Sequence, residues 1–565
     1  MSTLWTPRIL SNIALRIRTD DAVRFWDEDE QGDPQELGND NIIRYLNDFL
    51  PSIGIWTLPE EGAKGIPELA LVFFFENRVE KINLKQFETV IRKILDEAGY
   101  ARVNQMMHFK KSKFFGKDVV LSIPLLEGRS LLRDNSSSSY RFFANGYVKV
   151  TSDKVTAAIP YSSLPENTFI WNDLVSTREY RPSDHVIRSG ERHYRDFVVN
   201  LARDPDGEFN EQSFERIQIA LGYLCHRYNK SSERKCIILM DRLDDASLIG
   251  QSNGGTGRSI LVQSLFNILD GVNINGKEIK SNNIDRFAFA QVKESHELVN
   301  FEDSANNFDF ERIFPHITGD FYVRRIGKDP ITIPSDKAPK IVLSTNRPIG
   351  DSDFSTRRRQ FLVELSPYYR HLLEEEGKTP ADVHGGMELC RDEWSDHDWN
   401  EFYQFIFECI QIYLKKGLPK HNEESETYKR AQLIRRCGSA EMLDALLEIL
   451  DRVASSGEEW FSEQFYGVIR SAVPQCRQTD TVLLGLLKDV AEANGYLFNP
   501  HKNGLSDKQR LSGERWNRWV ALGLKSVSKK SGGHYQKDDR VTVFRISREG
   551  SKSVKNALEL LLEQS

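Results

Sequence analysis

The segment Ser252-Asn253-Gly254-Gly255-Thr256-Gly257-Arg258-Ser259 restricts this chain more than any other, because it stands between an apolar run at Lys235–Met240 and a helical run at Ile260–Leu269. Its glycines let backbone N–H groups turn inward. Arg258 offers a cation, Ser259 offers a hydroxyl, and a helix start behind them favours negative charge. These are the parts needed to hold a triphosphate and its magnesium. The strict pattern G-x-x-x-x-G-K-[ST] is missed twice, with Ser252 in place of the first glycine and Arg258 in place of the lysine. A guanidinium is a larger planar fork than an ammonium, so nucleotide binding is the firmer expectation and fast hydrolysis the weaker one. Taken alone, the segment reads equally well as a Gly-rich surface loop.

Downstream segments supply what such a loop would need. Glu297–Asp303 (ELVNFED) is a mostly apolar strand ending in two carboxylates. One would serve magnesium and the other would polarise a water: Glu302 and Asp303 by order, or the reverse. Lys340–Asn346 (KIVLSTN) is an apolar strand that delivers Asn346, an amide able to orient a water, although Asn at a strand end is also a common turn former. Between them, Phe321–Ile326 and Ile331–Pro334 flank Gly327-Lys328-Asp329-Pro330, which predicts a β-hairpin with Arg324, Arg325 and Lys328 at its tip. Such a tip suits nucleic-acid phosphates, or is an ordinary solvated hairpin. In Asp353–Phe361 (DFSTRRRQF), Arg357 or Arg358 suits an arginine finger reaching a neighbouring subunit's site, or a solvated basic turn.

The order NGGTGRS, NFED, basic hairpin, KIVLSTN, STRRR resembles superfamily III helicases, and more closely the primase–helicases of phages, plasmids and large DNA viruses. Phe142–Tyr161 (FFANGYVKVTSDKVTAAIPY) and Asn307–Val323 (NFDFERIFPHITGDFYV) look like the same family, so the similarity covers roughly Tyr140–Arg370. Phosphate loops without the first glycine are familiar there; an arginine at position 258 is a departure. The resemblance implies an α/β fold with an AAA+-like P-loop NTPase core, ATP and Mg2+ as cofactors, and a hexameric ring that moves along single-stranded or forked DNA with Arg324, Arg325 and Lys328 on the strand. In these terms Asn253, Gly254, Gly255, Thr256, Gly257, Arg258 and Ser259 bind nucleotide, and Ser259 and Glu302 hold Mg2+. Glu302, Asp303, Asn346, Arg357 and Arg358 carry the hydrolysis. The expected function is an ATP-dependent DNA helicase or translocase in the replication of a phage, plasmid or other mobile element. The alternatives are a nucleotide-gated initiator or scaffold with weak hydrolysis, and an ATPase subunit of an anti-phage defence system. Many relatives carry a primase domain with paired aspartates on a strand. Before Tyr140 no Asp-x-Asp strand occurs, and LALVFFF ends in Glu76 and Asn77, so primer synthesis would fall to a separate primase or polymerase.

Five regions are expected. Residues 1–139 form an α+β domain with a strand at Leu69–Phe75, a helix at Leu84–Ala98 and a solvated acidic loop at Asp20–Asp40. Residues 140–215 form a connector with a hairpin turning at Asn145-Gly146. Residues 216–375 form the ATPase core, 376–457 a helical region, and 458–565 a basic, winged-helix-like domain with a strand at Arg540–Ile546 and Trp516 and Trp519 in its core. Net charge −7 leaves local basic patches as the route to DNA. No apolar run reaches membrane-span length and Met1–Asp20 lacks signal-peptide character. Six scattered cysteines without a Cys-x-x-Cys pair read as reduced thiols in a bacterial or infected-cell cytoplasm, with neither zinc nor disulfides.

Overall fold

The computed structural model describes residues 4–20, 23–61, 67–182, 192–204, 206–242, 255–280, 283–284, 287–302, 304, 308–349, 354–420, 424–456, 460–494, 496–498, 527–531, 534–541, 543–544 and 546–548. The chain divides into two compact units. The first comprises Met1–Leu239, Gly254–Ser344 and Arg357–Asn422; the second comprises Met240–Asn253, Thr345–Thr356 and Glu423–Ser565.

The N-terminal part of the first unit holds β1 (Ile55–Glu61), β2 (Pro67–Phe75), β3 (Arg78–Lys81) and β4 (Ser130–Leu131). The hairpin β5 (Ser138–Phe143) and β6 (Gly146–Thr151) follows, then β7 (Thr168–Trp171). The sheet order is β1-β2-β3-β7-β4. β2 turns into β3 through Glu76 and Asn77, both at positive φ (49° and 61°), the mirror-image turn that matches strand twist. The helix Leu84–Glu97 starts where Asn83 accepts from the Gln86 amide and Gln86 accepts from the Asn83 amide, 2.9 and 2.8 Å, a reciprocal cap. Its apolar stripe, Phe87, Val90, Ile91, Ile94 and Leu95, is fully buried as the spacing requires. The acidic stretch 20–40 departs from a solvated loop. Its carboxylates cluster around an exposed turn, but Val23, Phe25, Trp26 and Leu37 are buried. Phe25 packs edge-on against Trp26, Tyr45 and Phe49, with centroids 5.1, 5.0 and 4.9 Å apart. Burying large rings outweighs the polar character of the intervening residues.

The rest of the first unit is built on a second sheet of β8 (Cys236–Asp241), β9 (Gly271–Asn275), β12 (Leu298–Glu302), β15 (Lys340–Thr345) and β16 (Gln360–Leu365), with two separate two-stranded pairs, β10 (Ile279–Lys280) with β11 (Asn283–Ile284) and β13 (Phe321–Arg325) with β14 (Lys328–Ile333). The order of the five-stranded sheet is β16-β8-β15-β12-β9, and β12 runs parallel to both β15 and β9. Ahead of β8, Arg234 donates to Pro339 O (3.1 Å) just before β15, and Cys236 N donates to Arg359 O (2.8 Å) just before β16. The three strands therefore start on one edge. That edge is fastened by charges: buried Arg141 lies 3.6 Å from buried Asp134, half-buried Arg227 pairs with half-buried Glu297, and buried Lys340 donates to the carbonyls of Tyr223 and His226. Burial drives the Lys340 ammonium down to about 7. On one side the helix Glu211–Cys225 crosses the helix Asp396–Lys416 so closely that a Cβ at Gly222 would collide with Cys409 O.

The β13–β14 turn is tighter than the sequence suggests. Arg325 pairs with Lys328, so Ile326 and left-handed Gly327 (φ 65°) are the turn, and Asp329 and Pro330 belong to the strand. A two-stranded hairpin has unpaired outer edges, which tolerate the missing proline N–H.

The second unit packs the helices Glu426–Cys437, Ala440–Ser456, Ser462–Ala472 and Asp480–Ala493 around Leu443, Leu446, Leu450, Phe465, Ile469, Leu483 and Leu487. The expected strand Arg540–Ile546 is divided. Val541 ends a hairpin with Val527–Ser531, Val543–Phe544 pairs with Trp460–Phe461, and Ile546 begins a strand paired with Tyr496–Phe498. Three different partners claim one alternating run. Trp516 and Trp519 lie outside the described residues. Among the described residues no helix is long and apolar enough to cross a membrane, and all six cysteines are free thiols.

Candidate functional site

The glycine-rich loop enters the helix Arg258–Leu265 through two left-handed residues, Gly255 (φ 79°) and Gly257 (φ 94°). Gly257 is doubly constrained. A Cβ there would stand 3.0 Å from Phe197 Cε2 as well as requiring the left-handed backbone. Phe197 cannot yield easily, because it stacks on Tyr369 with centroids 5.4 Å apart. The Tyr369 hydroxyl is held in turn by His384 Nε2 (2.6 Å) and by Asn200 Nδ2 (3.1 Å). Burial pushes His384 down to about 4, so the ring is neutral at physiological pH. The helix itself is seated by Tyr194 Oη against Ser264 Oγ, 2.5 Å apart. The loop thus rests on the largely buried helix His193–Leu201.

Arg258 and Ser259 are the first two residues of the new helix, half-buried and exposed respectively. The first N–H groups of any helix lack an intrahelical acceptor, and the helix dipole favours an anion there. Past the end of the helix, the chain returns to the starting edge of the sheet. There Asp270 O accepts from Glu297 N (2.6 Å) and Leu298 N (3.2 Å). A helix of this length spans about 12 Å, and β12 runs from the Asp270 contact towards the opposite edge of the sheet.

At that edge stands Glu302, the last residue of β12, half-buried. Asn300, two residues earlier and therefore on the same face, donates to Glu302 Oε1 (3.3 Å) and to Asn273 Oδ1 of β9 (3.0 Å). Asn300 is 1% exposed, and its own Oδ1 is buried with no partner among the described residues. In the sequence Asn300 reads as an interruption of an apolar strand. Its signal was the i, i+2 spacing to an acid. Gly276 lets β9's exit pass close to this point, since a Cβ there would lie 2.8 Å from Glu302 O. β8 and β12 are separated only by β15, two strand spacings or about 10 Å. The Ser259 hydroxyl and the Glu302 carboxylate are each oxygen donors, the type Mg2+ takes beside phosphate oxygens and water.

The other expected site residues are distributed as follows. Asn346 directly follows β15 and belongs to the second unit; beside it, Thr345 Oγ1 donates to Arg347 O (2.9 Å) and shapes the strand exit. Arg357 and Arg358 are exposed at the end of the short helix Phe354–Arg358, ahead of β16. On the hairpin, Arg324 is exposed with its guanidinium 5.6 Å from the Tyr322 ring. Arg325 is half-buried and donates to Val292 O (3.3 Å), which ties the hairpin to the body of the unit. Lys328 pairs with Arg325 through the backbone. Asn253, Gly254 and Asp303 lie outside the described residues.

No family model and no curated protein matches the chain. Among solved structures, the apo C-terminal region (305–718) of NrS-1 aligns over 89% of this chain and 99% of that one, at 14% identity and a TM-score of 0.37. The A form of that apo region aligns at 12% identity and a TM-score of 0.38, over 89% of this chain and 99% of that one. A full-length MCM homolog from Methanopyrus kandleri aligns over 61% of this chain and 64% of its own, at 13% identity and a TM-score of 0.16.

Proposed function

We propose that this chain is an ATP-dependent DNA helicase or translocase of the superfamily III type, working as a ring in the replication of a phage, plasmid or other mobile element. One observation carries the reading. A left-handed Gly255–Gly257 turn opens the helix Arg258–Leu265, and Glu302, the carboxylate that ends β12, is oriented by a buried asparagine. ATP bound with Mg2+ would supply the phosphoanhydride whose hydrolysis drives movement. Asn253, Gly254, Gly255, Thr256 and Gly257 would present backbone N–H groups to the phosphates. Arg258 would neutralise their charge. Ser259 and Glu302 would hold the metal, with Asp303 as base and Asn346 orienting the water. Arg357 or Arg358 would reach a neighbouring copy's site. Arg324, Arg325 and Lys328 would meet the phosphates of single-stranded or forked DNA.

Arg258 favours a second reading, a nucleotide-gated initiator or scaffold with slow hydrolysis, because a guanidinium fits less compactly between β and γ oxygens than an ammonium. Phosphate release with and without single-stranded DNA, beside a particle-mass measurement, separates the two. The motor requires DNA-stimulated release and a ring. Nucleotide binding without DNA-stimulated release leaves only the scaffold. Arg258→Ala should abolish nucleotide binding under either reading.

A further inference from the structure

We propose that the surface around Phe109 is a second binding site, for single-stranded nucleic acid, separate from the β13–β14 hairpin. Residues 98–117 carry Arg102, Lys110, Lys111, Lys113 and Lys117 and no carboxylate, within a chain of net charge −7. The stretch folds as the helices Ala101–Phe109, Lys111–Phe115 and Lys117–Val120. Its three phenylalanines have different fates. Phe114 and Phe115 are core residues, 0% and 5% exposed, packed against Tyr45 and Phe87. Phe109 ends its helix and is 80% exposed. His108 beside it is also exposed, and Arg92 reaches across from the helix Leu84–Glu97, 3.5 Å from His108 Nδ1. Lys110 and Lys111 form ion pairs with Glu36 and Glu88, and Arg102 lies 3.8 Å from Asp33. The Arg102–Asp33 pair is exposed and so weak and readily exchanged for another anion, whereas half-buried Lys110 also donates to Leu37 O and half-buried Glu88 is shared with Arg92. Lys113 and Lys117 are exposed and stand in none of the described ion pairs.

An exposed aromatic ring among cations, touched only edge-on by His108 among the described ring contacts (centroids 6.1 Å apart), calls for a partner with flat apolar faces and regularly spaced negative charge. A single strand offers both, stacked bases and phosphates. A duplex hides its base faces, an acidic protein segment lacks the flat faces, and a second copy of this acidic chain supplies no run of phosphates.

The test uses the full chain with Arg324, Arg325 and Lys328 changed to Ala, so that the hairpin does not contribute. Anisotropy of labelled oligo(dT) and oligo(U) is read without nucleotide across a salt series. On this background Phe109→Ala should weaken binding about tenfold, the loss expected for one stacked base, and Phe109→Trp should restore it. Lys113→Ala with Lys117→Ala should lower the salt slope by about 1.4, from roughly 0.7 per phosphate on a single strand. The proposal is overturned by unchanged affinity and slope, by a background that binds neither oligomer, or by a Phe109→Ala effect on particle mass alone, which would mean that another copy covers the surface. ATP turnover without DNA should be the same in Phe109→Ala as in the parent. Failure of the motor reading would therefore show in that separate measurement.

Discussion

Asn300 Nδ2 stands 3.3 Å from Glu302 Oε1 on one face of β12, and the same amide bridges to Asn273 of β9 at 3.0 Å. A buried amide thereby fixes the direction of a half-buried carboxylate. Residues that orient a metal ligand commonly cost 10- to 100-fold in metal affinity or activity when removed. Asn300→Ala should lower phosphate release about tenfold and raise the Mg2+ concentration needed for half-maximal activity. Glu302→Gln should keep nucleotide binding and stop turnover. A magnesium titration of both variants beside binding of a fluorescent nucleotide checks this. An unaltered Mg2+ requirement in Asn300→Ala would remove Glu302 from the metal site.

Gly257→Ala should be disproportionately harmful for one added methyl. The left-handed backbone costs about 1–2 kcal/mol for a non-glycine residue, and the methyl also meets Phe197 at 3.0 Å. Thermal melting should fall by several degrees, and nucleotide affinity should fall with it. Phe197→Leu should relieve the steric part and leave the backbone part.

The hairpin residues should separate by role. Arg324→Ala, at an exposed position, should leave the melting temperature unchanged and reduce DNA-stimulated turnover. Arg325→Ala removes a donor to Val292 O from a half-buried site and should cost about 1 kcal/mol of stability. Changing Arg324, Arg325 and Lys328 together should uncouple ATP use from DNA movement with nucleotide affinity near normal. Parallel loss of affinity would instead mark the hairpin as structural.

Glu401, on the helix Asp396–Lys416, is 5% exposed, and burial raises its carboxyl to about 8, with Arg195 opposing and Asp196 and Glu408 adding to the rise. Its folded value lies above the unfolded value of 4.5. The folded chain therefore binds the extra proton between these limits. The contribution to stability is full below about pH 4.5 and is lost as pH rises through 8. Glu401→Gln, a neutral mimic of the protonated acid, should melt close to the parent at pH 5 and above it at pH 8. A constant difference between the two pH values would show that Glu401 does not titrate in this window.

Several elements were legible from local pattern alone. The stripe Phe87, Val90, Ile91, Ile94 and Leu95 is a buried helix face, the glycines at 255 and 257 form the turn before a helix, and the runs LVNFE and KIVLST are neighbouring parallel strands. Each rests on interactions within a few residues: periodicity, φ preference, or an apolar run too continuous for a sheet surface.

What tertiary contact decided was hidden for a definite reason. Phe25 and Trp26 sit in an acidic stretch whose composition suggests solvent, yet they are buried against Tyr45 and Tyr100. Asn300 becomes useful only because β12 places it between Glu302 and Asn273. Arg325 braces while Arg324 is exposed beside the Tyr322 ring, and Phe109 is exposed while Phe114 and Phe115 are core, although each set is close in the chain. The amino-acid order by itself determined which segments become helix, strand or phosphate-type turn, because those choices depend on near neighbours. Which side chain of a mixed run meets solvent, core or carboxylate depended on partners tens to hundreds of residues away, and only the packed chain supplies them.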